Sequence, residues 1–170
     1  MVEEVRRAAI AAVTRVFEEM FFIFAEEERE KTGREEPVKR GNALLEDPSA
    51  KWVWGEIGFQ GATSGKILLT LPYGLALTLA ANFLGTEEKE VSEAELLDAV
   101  SELNNMISGN LFSLLNKKAK YSLTKPKTEL VLEEEKKKRS PEAGLTIYFN
   151  ADGQKVELNL QIPQSEQGKA

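Results

Sequence analysis

Two long segments with helical spacing, each followed by strand-like runs, constrain this chain more than any other feature. Residues 2 to about 30 place Ala9, Val13, Val16, Met20 and Ile23 or Phe24 at three- and four-residue intervals, the signature of an amphipathic helix. Glu26 to Glu30 continue it in polar form, and Thr32-Gly33 breaks it. The second segment opens at Ser92, with Glu95 three residues on as a capping box, and runs to about Asn116. Between them, Trp52, Trp54 and Ile57 begin a strand, Gln60 to Gly65 reads as a turn, and Lys66 to Leu71 as the return strand of a hairpin. Pro72 suits a helix start, and Gly85 stops that helix after Leu75, Leu79 and Phe83. Three further strand-like runs follow: Thr128 to Glu134, Leu145 to Phe149 and Val156 to Ile162, with a turn at Asn150 to Gly153 between the last two. Glu133 to Arg139 reads as a solvated hairpin end.

The order is αββα, then αβββ. It looks like a doubled unit, each half led by a long helix, in an α+β fold with a largely antiparallel sheet. The 170 residues suit a single domain, 1–170, with a loop excursion over 31–50 and a frayed tail over 163–170.

The second long helix is divided into two faces. Leu96, Val100, Leu103, Ile107, Leu111 and Leu114 form an apolar stripe that must face a core. At roughly 100° per residue, Asp98, Glu102, Asn105 and Gly109 line up on the other side. Asn104 and Asn110 flank the apolar stripe, and Asn110 reads as a structural residue bonded to nearby backbone. Phe17, Phe21, Phe22 and Phe24 read as core or dimer packing.

Composition narrows the chemistry available to such a stripe. There is no cysteine and no histidine, so thiolate nucleophiles, Ser-His-Asp triads and Cys- or His-based metal sites are excluded. Gly58 to Gly65 is glycine-rich but lacks a Walker lysine arrangement. A net charge of −6 argues against nucleic-acid binding. No apolar run approaches the roughly 20 residues that span a bilayer, and no signal peptide opens the chain, so a cytoplasmic protein is expected. The first helix repeats part of the second as Thr14, Glu18 and Phe21, which reads as a degenerate copy of the Asp98, Glu102, Asn105 set.

Those three residues carry a resemblance. Asp98-x3-Glu102-x2-Asn105, followed by Met-Ile-Ser-Gly-Asn110, resembles the signature of the CheC/CheX/FliY phosphatases of bacterial chemotaxis, and Pro126 stands for the family's downstream proline at slightly closer than usual spacing. Ser64 to Ile67, Leu71-Pro72, Phe83 to Gly85 and Val91 to Leu96 are similar to CheX members in particular. The resemblance covers roughly residues 50 to 162, and one complete motif per chain is the CheX arrangement. It implies a cytoplasmic homodimer that hydrolyses the aspartyl phosphate of a CheY-type response regulator. In that role Asn105 would orient the attacking water and Glu102 would engage the regulator's lysine. Asp98 would support the same surface, and Gly109 would leave room for the partner's backbone. The phosphatase would need no cofactor of its own, because Mg²⁺ sits on the regulator. The alternative is a non-catalytic adaptor of the same fold, like those of the flagellar switch.

Overall fold

The first helix, α1 (Val2–Phe21), buries Ala9, Ala12, Val13, Val16, Phe17 and Phe21 on one side. In the computed structural model, which describes residues 2–29, 50–115, 118–139, 141 and 143–162, the helix ends eight residues before Arg29, not near residue 30. Phe22 takes a left-handed φ of 57°, and the Ile23 N–H donates to the Phe17 carbonyl at 3.0 Å, a closing geometry common at helix C-termini. From there the periodicity changes. Phe21, Ile23 and Ala25 are buried while Phe22, Phe24 and Glu26 are exposed, which is the alternation of a strand. The result is a short strand, β1 (Ala25–Glu27), held to α1 by an ion pair between Arg6 and Glu27. The loop expected over 31–50 lies, apart from Ala50, outside the described residues, as does the expected tail at 163–170.

The expected hairpin is β2 (Lys51–Gln60) and β3 (Gly65–Pro72), and it leads into α2 (Tyr73–Leu84). Gly85 ends that helix with a φ of 67°, a conformation in which glycine carries no Cβ penalty. Next come α3 (Glu93–Leu115), β4 (Ser122–Leu123), β5 (Lys127–Leu132), α4 (Glu133–Lys138), β6 (Leu145–Ala151) and β7 (Gln154–Gln161). Asp152 and Gly153, with φ of 53° and 76°, form the two-residue turn that joins β6 to β7.

The described strands form one antiparallel sheet in the order β1-β6-β7-β3-β2, with β4 and β5 end to end along the outer edge of β2. That order carries the doubling. Exchange β1 with β5, β2 with β6 and β3 with β7, and the same order returns reversed. Each half contributes a hairpin, β2–β3 or β6–β7, and the two hairpins meet where Ile67 lies opposite Leu160 and Leu69 opposite Leu158. Each half also sends a strand across to the other half's hairpin: β1 pairs with β6, and β5 pairs with β2. β1 is thus the strand that the sequence reading lacked, and it makes the two halves match.

Helices α1, α2 and α3 pack on one face of the sheet. Val53, Ile57, Phe59, Ile67, Leu69, Leu71, Ile147, Phe149, Val156, Leu158 and Leu160 meet them in a continuous core. The opposite face holds Trp54, Leu68 and Val131. Here the charge run proves to be α4 rather than a solvated hairpin end, and it lies over this second face. Glu133 to Glu135 occupy its first turn and Lys136 to Lys138 its last, matching the helix dipole. Lys136 sits 4.2 Å above the Trp52 ring and Arg139 5.8 Å above Trp54, so long cationic side chains cover apolar rings. Arg139 also pairs with Glu129 and Glu135. The hydrogen bond to Glu129 holds its guanidinium above the ordinary value, against the opposing effect of burial.

Of the four phenylalanines grouped in the sequence, Phe17 and Phe21 are core, whereas Phe22 and Phe24 stand 73% and 61% exposed. Phe21 stacks on Phe83 with ring centroids 5.1 Å apart. Phe21→Ala should therefore cost about 3–5 kcal/mol in urea unfolding, whereas within the monomer Phe24→Ala should cost less than about 0.5 kcal/mol. Equal costs at the two positions would contradict the strand alternation after α1.

Candidate functional site

The site is built on α3, and the start of that helix is fixed by side chains. The Ser92 N–H donates to Glu95 at 2.9 Å, and the Glu95 N–H donates back to the Ser92 hydroxyl at 3.1 Å. This reciprocal capping box satisfies two N–H groups that a helix start otherwise leaves open. The far end is held by aromatic contacts. Phe112 lies 4.8 Å from Phe59 and 4.3 Å from Tyr121, tying α3 to β2 and to the approach to β4.

Between these anchors, Leu96, Ala99, Val100, Leu103, Ile107 and Leu111 are buried on the sheet and on α1. Leu114, expected to close the apolar stripe, is instead 50% exposed, because the core ends before the last turn. Asn110 donates to the Met106 carbonyl at 2.9 Å, as its structural reading required. Asn104, expected at the flank, is fully buried beside Gly55 of β2. Its neighbour Asn105 is turned outward.

Burial of the apolar stripe leaves Asp98, Glu102, Asn105 and Gly109 as a ridge. Asp98 and Gly109 are exposed, and Glu102 and Asn105 are half-buried. The eleven steps of helical rise from Asp98 to Gly109 make that ridge about 16 Å long. Among the described residues, no hydrogen bond or ion pair engages the side chains of Asp98, Glu102 or Asn105. A Cβ built on Gly109 meets nothing within 4 Å, so the ridge is open at that end. The arrangement therefore offers two carboxylates and one amide with free hydrogen-bonding capacity. Among the described residues, no group of three or more His, Cys, Asp or Glu side chains is placed to hold a metal ion.

An open groove of about 640 Å³ runs beside the first half of the ridge. Leu97, Asp98 and Ser101 of α3 form one wall, and the run from Lys125 to Glu129 the other. The structure thus brings Asp98 and Pro126, remote in sequence, to one surface, with Glu102 and Asn105 one and two helical turns further along. Two contacts fix the second wall. Thr124 exchanges hydrogen bonds with Gly58, its N–H reaching the Gly58 carbonyl at 2.9 Å and its hydroxyl accepting from the Gly58 N–H at 2.8 Å. The hydroxyls of Ser101 and Thr128 lie 2.7 Å apart and join α3 to β5. Sequence reasoning missed Lys125 and Lys127. Residues 117–128 carried the signal, five lysines and no carboxylate in a chain of net charge −6.

The proposed degenerate copy in α1 does not survive the burial pattern. The buried residues Ala9, Ala12, Val13, Val16, Phe17 and Phe21 match Leu96, Ala99, Val100, Leu103, Asn104 and Ser108, each 87 positions on. In that register Ala11, Arg15 and Glu18 stand where Asp98, Glu102 and Asn105 do. Phe21 faces the core and cannot be a spoiled Asn105.

The family model described as "Chemotaxis phosphatase CheX" matches residues 53–150, more than half of the chain. This protein belongs to the CheX family. The matched region runs from β2 into β6 and includes α3, its ridge and both walls of the groove. Among solved structures, CheX of Vibrio vulnificus aligns with a TM-score of 0.70 at 19% identity, covering 94% of this chain and 96% of its own. CheX of Desulfovibrio desulfuricans aligns with a TM-score of 0.66 at 18% identity, covering 94% and 99%. The CheX-CheY-BeF3-Mg²⁺ complex of Borrelia burgdorferi aligns at 0.62 and 19%, covering 94% and 98%. At these identities the structural likeness speaks for a shared CheX fold. A comparison with curated protein sequences gives no match.

Proposed function

We propose that this chain is a cytoplasmic phosphatase of a CheY-type response regulator in chemotaxis, hydrolysing its aspartyl phosphate through the ridge of α3. The observation that carries the reading is the pair Glu102 and Asn105: half-buried, held on a capped helix, and engaged by no side chain or backbone among the described residues. Membership of a family described as a chemotaxis phosphatase, and the likeness to a CheX solved with CheY, BeF3 and Mg²⁺, support it. On a carboxylate, BeF3 has the charge and tetrahedral shape of a phosphoryl group.

An aspartyl phosphate is an activated acyl phosphate, and the regulator supplies Mg²⁺ to the phosphoryl oxygens. What the phosphatase must add is a water placed in line with the P–O bond to the carboxylate, which is mainly a matter of positioning. The water oxygen forms a new bond to phosphorus, the aspartyl carboxylate leaves with the electron pair of the broken bond, and the water's proton passes to the departing phosphate or to solvent. Asn105 suits this task because its amide donates and accepts and carries no charge that the phosphoryl oxygens would repel. Glu102, one turn back, pairs with the regulator's lysine and fixes how deeply the helix inserts. Asp98 contacts the regulator at the start of the ridge, and the bare surface at Gly109 admits its backbone at the other end. None of these steps requires a cofactor of the phosphatase's own.

Asn105→Ala should lower kcat about a hundredfold, or about 3 kcal/mol in the barrier, while leaving regulator binding near wild type. Glu102→Ala should lose turnover and raise KM together. Phosphate loss from a ³²P-loaded regulator measures both. Wild-type rates from Asn105→Ala would refute the positioning role, and binding without hydrolysis by the unaltered protein would make it an adaptor instead.

We further propose that the single domain works as a homodimer, since Phe22 and Phe24 lie exposed together beside β1 as apolar surface. Sedimentation should find a dimer at micromolar concentration, and only monomer there would exclude it.

A further inference from the structure

Gly55 is a buried glycine in the middle of β2, with Leu69 of β3 opposite it on one side and Thr128 of β5 on the other. A glycine inside a strand weakens it, and commonly marks a close approach of backbone. Gly65 is of that kind, since a Cβ there would collide with the Gln161 carbonyl oxygen. Gly55 is not. Its φ lies outside the left-handed region, and a Cβ built on it meets its nearest neighbours at 3.4, 3.6 and 3.7 Å, which is ordinary contact. Neither backbone conformation nor space therefore excludes alanine. What distinguishes the position is the chemistry around it. The three neighbours are Asn104 Nδ2 of α3, Thr128 Oγ1 of β5 and the Leu69 carbonyl oxygen of β3. A donor, a hydroxyl and an acceptor converge on the notch that the missing side chain leaves.

Asn104 needs what that notch could hold. It is fully buried, and among the described residues neither polar atom of its amide has a hydrogen-bond partner. A buried amide without a partner forfeits the bonds that water gave it in the unfolded chain. Buried polar groups of native proteins are almost always bonded, either to protein or to ordered water. The other two groups can each take one more bond. The Thr128 hydroxyl lies 2.7 Å from that of Ser101, but a hydroxyl both donates and accepts. A backbone carbonyl has two lone pairs, so pairing in the sheet leaves one of them free.

We propose that the Gly55 notch is a binding site for one internal water molecule. The water accepts from the Asn104 Nδ2–H, donates to the Leu69 carbonyl and bonds the Thr128 hydroxyl. Three partners are the usual complement of a buried water. None of the three groups carries a charge, so the site suits a small neutral molecule that both donates and accepts. The bridge ties α3 to β3 and β5 through Asn104, the residue before Asn105. It also gives a reason for glycine at position 55. A methyl group there fits by size, but it displaces the water and sets carbon against the Asn104 amide. The site stands or falls independently of the phosphatase reading.

The test is a crystal structure that resolves ordered water, together with urea unfolding of Gly55→Ala, Asn104→Leu and the double variant. The expected result is density for one water within hydrogen-bond distance of Asn104 Nδ2, the Leu69 carbonyl oxygen and Thr128 Oγ1. Gly55→Ala should remove that density and shift the unfolding equilibrium about tenfold toward the unfolded chain, although glycine is the weaker strand former. In the Asn104→Leu background the same change should shift it by less than about threefold, because no amide is left without a partner. A notch without water in the unaltered protein overturns the site. So does a Gly55→Ala protein as stable as the unaltered one, or an equal loss in the two backgrounds. Where Gly55→Ala does not fold, the density in the unaltered protein decides alone.

Discussion

The antiparallel pairing of β3 with β7 joins two similar halves into one sheet, and the helix that carries the site rests on that sheet. Ile67 opposite Leu160 and Leu69 opposite Leu158 put four large apolar side chains on one face at the seam. That row, with its neighbours on β2 and β6, makes the surface on which α1, α2 and α3 bury their stripes. The exchanged strands β1 and β5 then lock each half to the other's hairpin. Without the seam there would be no broad apolar floor, and α3 would have no fixed rotation about its own axis.

That rotation decides which side chains α3 presents. The side of α3 that buries Leu96, Val100, Leu103 and Ile107 leaves Glu102 and Asn105 half-buried on the other side, with their polar atoms unengaged. A helix turned by one residue would exchange Asn105 with Asn104, which is packed against Gly55 at zero exposure. The bond between the Ser101 and Thr128 hydroxyls and the Phe59–Phe112–Tyr121 cluster hold the rotation at two further points.

Features governed by local chemistry were legible in the sequence. The Ser92–Glu95 capping box, the Gly85 stop and the β2–β3 hairpin depend on residues close together in the chain, and each lies where its spacing placed it. The two faces of α3 were legible for the same reason, since one helix period fixes both. Features that depend on tertiary partners were not. β1 hid inside an apparent helix because Phe21, Ile23 and Ala25 satisfy a period of two as well as they extend a period of 3.6. The Glu133–Arg139 run looked like solvated charge because nothing local reveals that Trp52 and Trp54 wait beneath it. The groove was invisible because Asp98 and Pro126 meet only when β5 docks beside α3.

The account turns on a neutral amide at position 105 rather than on a charged base. The most direct measurement is single-turnover decay of the phosphorylated regulator at saturating Asn105→Asp protein, with binding to the beryllofluoride-loaded regulator followed in parallel. A carboxylate there cannot donate a hydrogen bond and repels the phosphoryl oxygens. The account predicts decay near the regulator's own spontaneous rate, although the regulator still binds. Decay as fast as with the unaltered protein would mean that position 105 works as a base, and would contradict the positioning mechanism.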